Sequence, residues 1–432
     1  MATAGDVLGM NARQKMYVSL NLRSAKRYAN SKLALKRLMK EKGMLVPETY
    51  AKFTTMEQVR TFEFTKIETS FVVKPATGSG GRGILIVRKR GEENKVVFVG
   101  GDGRTLSEDD IRLHIADILE GQYSTFGTKH MAFVEEWVGV HPKFKRYTYK
   151  GTPDVRVIVY NSVPVMAMLR LPTEESDGRA NLHQGAIGVG VDIATGITLK
   201  GVYHGKPMRL LPGTKRKLNG IIIPDWTVLL KTAVQAVGDA GLAYCGVDLF
   251  VHREKGPMVV ELNAMPGLSI QLANDGGLRR RLERVEGLRI RDVAHGVRVG
   301  KALFAEMFAD RVKADEGVTI VENFETVKVR SAQKKLVEVE AMVDTGAFRS
   351  AIDRKLAEDL GLMEENNVLW EKGYASTLGR ERRKVIEVIY YLKGKKIKAA
   401  VSVANRAARR TKILIGRLDL QGFMVNPQLR SR

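Results

Sequence analysis

The sequence predicts an α+β protein in two parts, a larger mixed domain over residues 1–317 and a small, mostly β domain over residues 318–432. Three observations predict it. The chain has 432 residues, more than a single core usually serves. Up to Glu316-Gly317, β-branched runs that read as hairpins alternate with isolated helical stretches. Beyond that point short strands dominate and one helix remains.

Taken in order, residues 11–42 read as helical, with Leu33, Leu35, Leu38 and Met39 forming an apolar stripe. Gly43 and Pro47 punctuate the end of this short helical N-terminal segment, residues 1–42. Phe71-Val72-Val73 and Ile84-Leu85-Ile86-Val87 read as strands on either side of a glycine-rich loop. Ser107 can cap a helix running to about Glu120, with Asp110 completing a capping box. A strand from Met131 to Val138 follows, then a hairpin from Asp154 to Arg170 turning at Asn161-Ser162. Ala186 to Tyr203 reads as a second hairpin around Thr195-Gly196. A helix from about Pro224 to Ala240 precedes strands Gly246 to Val251 and Met258 to Leu262, which turn at Lys255-Gly256. A last long helix spans about Arg291 to Lys313. In the second domain, strands fill 318–343, 385–403 and 411–425, with a helix near Asp353 to Leu360.

Hydrophobic content of 44% and charged content of 28% are ordinary for a globular chain. No apolar run approaches the roughly 18 residues that span a bilayer, so no membrane partner is expected. No secretory signal is legible before Met10, and the single cysteine, Cys245, excludes an intramolecular disulfide. A cytoplasmic location is expected. The net charge is +23 and the pI near 9.9. From Val318 onward there are 23 Lys+Arg against 14 Asp+Glu, so the excess is spread over the chain and not held in a tail. Clusters such as Lys143 to Lys150, Arg380 to Lys384 and Arg406 to Lys412 would attract nucleic acid, a ribosome or an acidic peptide, or would simply be a solvated surface.

Gly78-Ser79-Gly80-Gly81-Arg82-Gly83 fits G-x-G-x-x-G. A dinucleotide fold needs a helix straight after such a loop, whereas a β-branched run follows here. A Walker loop would end in Gly-Lys-Ser/Thr, which is absent. What remains is a glycine flap between antiparallel strands, able to fold amides over a triphosphate, with Lys74 on the entering strand. Downstream, Val247-Asp248-Leu249 and Val260-Glu261-Leu262-Asn263 read as paired strands. Glu261 and Asn263 share a face because strand side chains repeat every second residue. With Asp248 they form a hard oxygen set suited to magnesium (or manganese) bridging phosphates, or else the carboxylates pair with arginines.

Val73-Lys74-Pro75, Gly78 to Gly83 and Glu261-Leu262-Asn263-Ala264-Met265-Pro266-Gly267 resemble the ATP-grasp fold, and most closely its RimK-type alpha-L-glutamate ligases, over about residues 11–312. The resemblance implies Lys32 and Lys74 as nucleotide-binding lysines and Gly78, Ser79, Gly80, Gly81, Arg82 and Gly83 as the flap. It also implies Glu135, Glu136, Trp137 and Val138 as an adenine hinge, with the backbone of Glu136 and Val138 meeting the base. Arg156, Arg170 and Asn181 would face phosphate and acyl substrate, and Asp248, Glu261 and Asn263 would hold the metal. The implied activity is an ATP- and Mg2+-dependent joining of a carboxylate to an amine through an acyl phosphate, with a glutamate-like amino acid as one substrate. Members usually carry a further α/β domain ahead of this core, and about thirty residues before Lys32 are too few for one. His183 is read as structural.

Val343-Asp344-Thr345-Gly346-Ala347 and Leu414-Ile415-Gly416-Arg417 resemble the retropepsin-like, RimB-like fold, often labelled "ATP-dependent zinc protease". Peptide hydrolysis by that route needs two aspartates around one water. Asp344 is the single aspartate in the motif, so a homodimer or higher homo-oligomer is expected if the unit is a peptidase. A zinc site finds no His-Glu-x-x-His and no second cysteine. Binding of an acidic chain without hydrolysis is the other reading of this domain. For the whole chain, a nucleic-acid-binding protein with an inactive core and a nucleotide-regulated peptidase are the competing readings.

Overall fold

The computed structural model describes residues 4–76, 81–92, 95–101, 103–123, 131–274, 276–304, 319–376 and 379–426. It divides into two compact units, Met1–Val285 and Glu286–Arg432.

The helical N-terminal stretch is broken where the sequence reading had it continuous. Short turns at Met10–Ala12, Arg13–Tyr17 and Val18–Leu20 give way to helices Arg23–Asn30 and Lys32–Glu41. The first break has a cause at Asn21. Its buried side chain donates to the Tyr244 carbonyl (2.7 Å) and accepts from the Ala243 (2.8 Å) and Tyr244 (3.0 Å) amides, which draws the chain out of helical geometry onto a strand. The second is at Ser31, extended at φ −133°, whose hydroxyl caps the Ala34 amide at 3.3 Å. That cap places Lys32 at the first turn of its helix.

A six-stranded antiparallel sheet follows, in the order Thr49–Phe53, Ala132–Glu136, Phe71–Pro75, Leu85–Glu92, Lys95–Gly100, Thr105–Leu106. Strand Thr49–Phe53 and helix Met56–Thr61 lack a strong periodic signal and were not expected. The Ser107–Asp110 capping box is present, each partner bonding the other's amide (3.1 and 2.7 Å). It starts helix Glu108–Leu119, whose Ile111, Ile115 and Ile118 bury against the sheet beside Phe64 and Phe71. Each such side chain contributes about 1.5–3 kcal/mol by leaving water.

A seven-stranded sheet forms the other half of this unit, in the order Lys206–Met208, Thr198–Tyr203, Ile187–Val191, Val163–Leu171, Asp154–Tyr160, Tyr244–His252, Gly256–Asn263. Asn161 and Ser162 both have positive φ (48° and 57°), the tight two-residue turn that matches strand twist. Gly196 has φ +75°, and a Cβ there would lie 2.4 Å from Trp226, so the second hairpin requires glycine. Helix Trp226–Asp239 covers the sheet with Leu229, Leu230, Ala233 and Val237.

In the second unit, Phe324–Arg330, Leu336–Asp344, Ile413–Gly416, Ala351–Asp353, Lys395–Ala404 and Gly379–Leu392 pair in sequence, and Gly379–Leu392 pairs back to Phe324–Arg330, closing a barrel. Val368–Ser376 extends it, and Thr319–Glu322 pairs in parallel with Phe423–Asn426. Val327, Val343, Ile386, Val401 and Ile415 fill its core. The division between units falls at 285/286 and not at 317. Helix Val293–Leu303, assigned by sequence to the first domain, packs in the second. Arg298 donates to the Asn366 carbonyl at 2.8 Å, Arg291 to Val368 at 3.1 Å, and His295 Nε2 lies 2.6 Å from the Leu369 carbonyl. The remainder of the helix expected to about Lys313 lies outside the described residues.

Candidate active site

The first unit contains a cavity of ≈ 680 Å³. Its lining draws on the first helical segment, the glycine loop and both sheets. Lys32, Lys74, Arg156, Arg170, Asp248, Glu261 and Asn263, scattered over more than half the sequence, all reach it. Gly81 and Arg82 line it too, as do Glu135, Glu136, Trp137 and Val138. Gly78, Ser79 and Gly80 lie outside the described residues. The loop leaves strand Phe71–Pro75 and returns antiparallel as Leu85–Glu92, as expected of a flap between strands. Its return is anchored at Gly83, whose carbonyl lies 3.0 Å from His114 Nε2.

Glu135 departs from its expected place in the hinge. It is buried in mid-sheet, one carboxylate oxygen paired with Lys74 and the other with Lys36. Burial would raise this carboxyl, but the two ammonium groups hold it below its ordinary range. Lys36 also donates to the Pro47 carbonyl at 2.7 Å, and burial lowers its own pKa. Sequence reading missed Lys36. The available signal was its position one helical turn after Lys32, on the same face. Lys32 itself is lowered by burial, with Glu261 opposing.

At the hinge, the Glu136 amide is already donated to the Glu48 carbonyl (2.8 Å), and its carboxylate takes Lys255 (2.8 Å) and the Glu48 amide (3.1 Å). The Trp137 amide goes to Ser70 at 3.1 Å, while its buried indole N–H has no partner among the described residues. An adenine edge would therefore be left the Glu136 carbonyl and the Val138 amide.

Across the second sheet, Asp248 is the register partner of Arg156 on one side and of Glu261 on the other, and Gly246 stands opposite Asn263. The metal candidates thus share one patch. Asp248 is already engaged, however. Arg156 clasps both its oxygens at 2.7 Å, and Arg170 reaches Oδ2 at 2.6 Å. Arg170 also forks onto Asp154 at 2.5 and 2.6 Å. Burial favours protonation of both carboxyls; the two guanidiniums hold Asp248 below its ordinary range, while Asp154 is pushed up to about 6. The sequence reading gave Asp154 no role beyond opening a hairpin, and the structure makes it the counter-ion of Arg170.

Among the described residues, no group of three or more His, Cys, Asp or Glu side chains is placed to hold a metal. The donors on this patch are instead the Glu261 carboxylate, the Asn263 amide oxygen, which also accepts the Met265 amide (2.9 Å), and what remains of Asp248. Magnesium characteristically takes one or two carboxylates and completes its shell with phosphate oxygens and water, so this oxygen set fits it. Asn181 lines the cavity and turns its side chain onto the His183 amide (3.0 Å). Cys245 is buried, and burial raises its thiol, which makes it a poor nucleophile.

Asp344 belongs to the second unit. It ends its strand opposite Gly416 on the parallel neighbour, and its Oδ1 accepts the Gly346 (2.8 Å) and Ala347 (3.2 Å) amides. Beneath this turn lies a polar network that sequence did not reveal. Ser350 accepts from the Gly416 amide at 2.9 Å and bonds Asp419, which also accepts the Tyr390 hydroxyl at 3.1 Å.

Two flanking sheets around a cavity rich in lysine, arginine and carboxylate make the architecture of an ATP-grasp fold. A family model described as sugar-transfer associated ATP-grasp matches residues 11–287, and the chain belongs to that family. No protein of curated function matches the chain. Among solved structures, the ATP-grasp ligase PsnB complexed with minimal precursor is 15% identical, with a TM-score of 0.33 and coverage of 62% of this chain and 62% of that one. The chain thus spans less than two thirds of that protein. D-alanine–D-alanine ligase from Bacillus anthracis is 15% identical over 72% of this chain and 78% of that chain, with a TM-score of 0.33. A simian foamy virus protease is 15% identical over 22% of this chain and 90% of that chain, with a TM-score of 0.17. At these scores the structural likenesses bear on no functional point.

Proposed function

We propose that the first unit is an ATP- and magnesium-dependent carboxylate–amine ligase of the acyl-phosphate type, using glutamate or a similar acidic amino acid with a peptide or small-molecule amine. The observation that carries this reading is the convergence of Lys32, Lys74, Arg156, Arg170 and Glu261 on one cavity. A carboxylate is a poor acyl donor because oxide is a poor leaving group. Attack of a carboxylate oxygen on the γ-phosphorus expels ADP and gives an acyl phosphate; attack by an amine on the acyl carbon then expels phosphate and releases a proton. Bound at Glu261, Asn263 and Asp248, magnesium would supply neutralisation of the β- and γ-oxygens. Lys74, pre-aimed by Glu135, and Lys32 supply cations to the phosphates. Arg156 and Arg170, whose Nε–Nη2 edges are held by Asp248 and Asp154, would offer their remaining Nη1 donors and their positive charge to phosphate or carboxylate. The Glu136 carbonyl and Val138 amide would meet the base.

The test is MgATP-dependent phosphate release across a panel of amino acids and acidic peptides, with mass spectrometry of products. A product heavier by one amino acid less water supports the reading. Absence of turnover on every donor–acceptor pair, together with salt-dependent RNA binding, would favour the nucleic-acid reading instead.

For the second unit we propose an aspartic peptidase-like module in which two copies bring two Asp344 side chains together. The placement of Asp344 in register with Gly416, at the end of a strand in a closed barrel, favours it. Asp344→Asn should stop cleavage of glutamate-rich chains. If wild type also fails on all such chains, binding of an acidic ligand beside Arg383, Arg406 and Arg409 is the remaining role.

A further inference from the structure

Residues 7–30 contain five Lys+Arg and no Asp or Glu. The same stretch leaves large apolar side chains in solvent: Met10 is 72% exposed and Leu22 66%, with Met16 and Leu20 also exposed. Such side chains on a floppy tail would mean little. Here they sit on a fixed scaffold. The Leu8 amide donates to Gln271 Oε1 (2.8 Å), Arg13 to the Pro266 carbonyl (2.7 Å), and Asn21 bonds the Tyr244 backbone. Tyr17, Val18 and Ala25 already fill the inward side. The segment's anchors also place it beside helix Leu278–Val285, where Arg280 pairs with Asp6 at 3.7 Å and Leu272 is exposed nearby.

We propose that this face adsorbs to an anionic lipid surface, its Met and Leu side chains entering the acyl boundary and Lys15, Arg23, Lys26 and Arg27 meeting lipid phosphates. The mixture of exposed thioether and leucine with cations, without acidic residues, is the composition of an interfacial segment. A nucleic acid would use the cations and leave the apolar side chains wet. A second copy of the chain would set cation against cation. No helix among the described residues is long and apolar enough to cross a membrane; the contact proposed is adsorption, not spanning.

The experiment is co-sedimentation with vesicles of phosphatidylcholine alone and of phosphatidylcholine with phosphatidylserine. Wild type should pellet with the anionic vesicles at least about tenfold more than with the neutral ones, weakening as salt rises. Met10→Asp/Leu22→Asp and Arg23→Glu/Arg27→Glu should each lose at least about fivefold while keeping the wild-type melting temperature. Wild type left in the supernatant of anionic vesicles would overturn the proposal. So would an apolar double variant that pellets like wild type, or a dimer that hides this face and dissociates on Met10→Asp.

Discussion

Arg156 and Asp248 stand opposite each other on adjacent strands and meet as a two-pronged pair, Nε to Oδ1 and Nη2 to Oδ2, each at 2.7 Å. The carboxylate that would help hold magnesium is therefore also the counter-ion of a guanidinium that would grip phosphate. Both partners are buried. Removing one leaves the other uncompensated, which costs about 3–5 kcal/mol. Asp248→Ala should lower the urea unfolding free energy of the first unit by that amount, with Asp248→Asn losing less. Wild-type stability in the alanine variant would show that solvent reaches this pair.

Glu261 presents the opposite case. It is half-buried, lines the cavity and stands opposite Asp248 with like charge. Glu261→Ala should leave stability within about 0.5 kcal/mol of wild type, or raise it by relieving that repulsion. MgATP-dependent turnover should fall by about 10²–10³. Full turnover in this variant would remove Glu261 from the metal set.

Lys36 does not line the cavity, yet it holds the carboxylate that aims Lys74. Lys36→Met should leave Glu135 free to pair with Lys74 alone and draw that ammonium away from phosphate. The expected result is a rise in the KM for ATP of about tenfold or more, about 1.4 kcal/mol, with a smaller change in kcat. Unchanged ATP kinetics would mean that Lys74 is aimed by other contacts.

Acid should weaken the same triad. Folding depresses the Glu135 carboxyl, so its contribution is in force above the ordinary carboxylate pKa and is lost as pH falls through the lower native value. Stability measured from neutral pH downward should drop in that acidic window. Glu135→Gln should be less stable at neutral pH and show a shallower drop.

Gly196→Ala should destabilise the first unit by about 1–3 kcal/mol, because the φ of +75° is strained for alanine and the new methyl meets Trp226. A thermal melt unchanged from wild type would show that the indole can withdraw.

The sequence by itself determined those local elements that carry strong turn, capping or alternation signals. Turn residues at Asn161-Ser162, the Ser107–Asp110 box and the alternating Glu261/Asn263 face act over a few residues, and local rules read such features directly. The strand–loop–strand context of the glycines was legible for the same reason. Only the tertiary structure decided which charges neutralise which. Glu135 joins Lys74, 61 residues away, and Asp248 joins Arg156, 92 residues away, through sheet register that no local pattern encodes. The unit boundary was hidden likewise, because helix Val293–Leu303 is amphipathic wherever it packs, and its allegiance rests on carbonyls beyond residue 365 that only folding brings within reach.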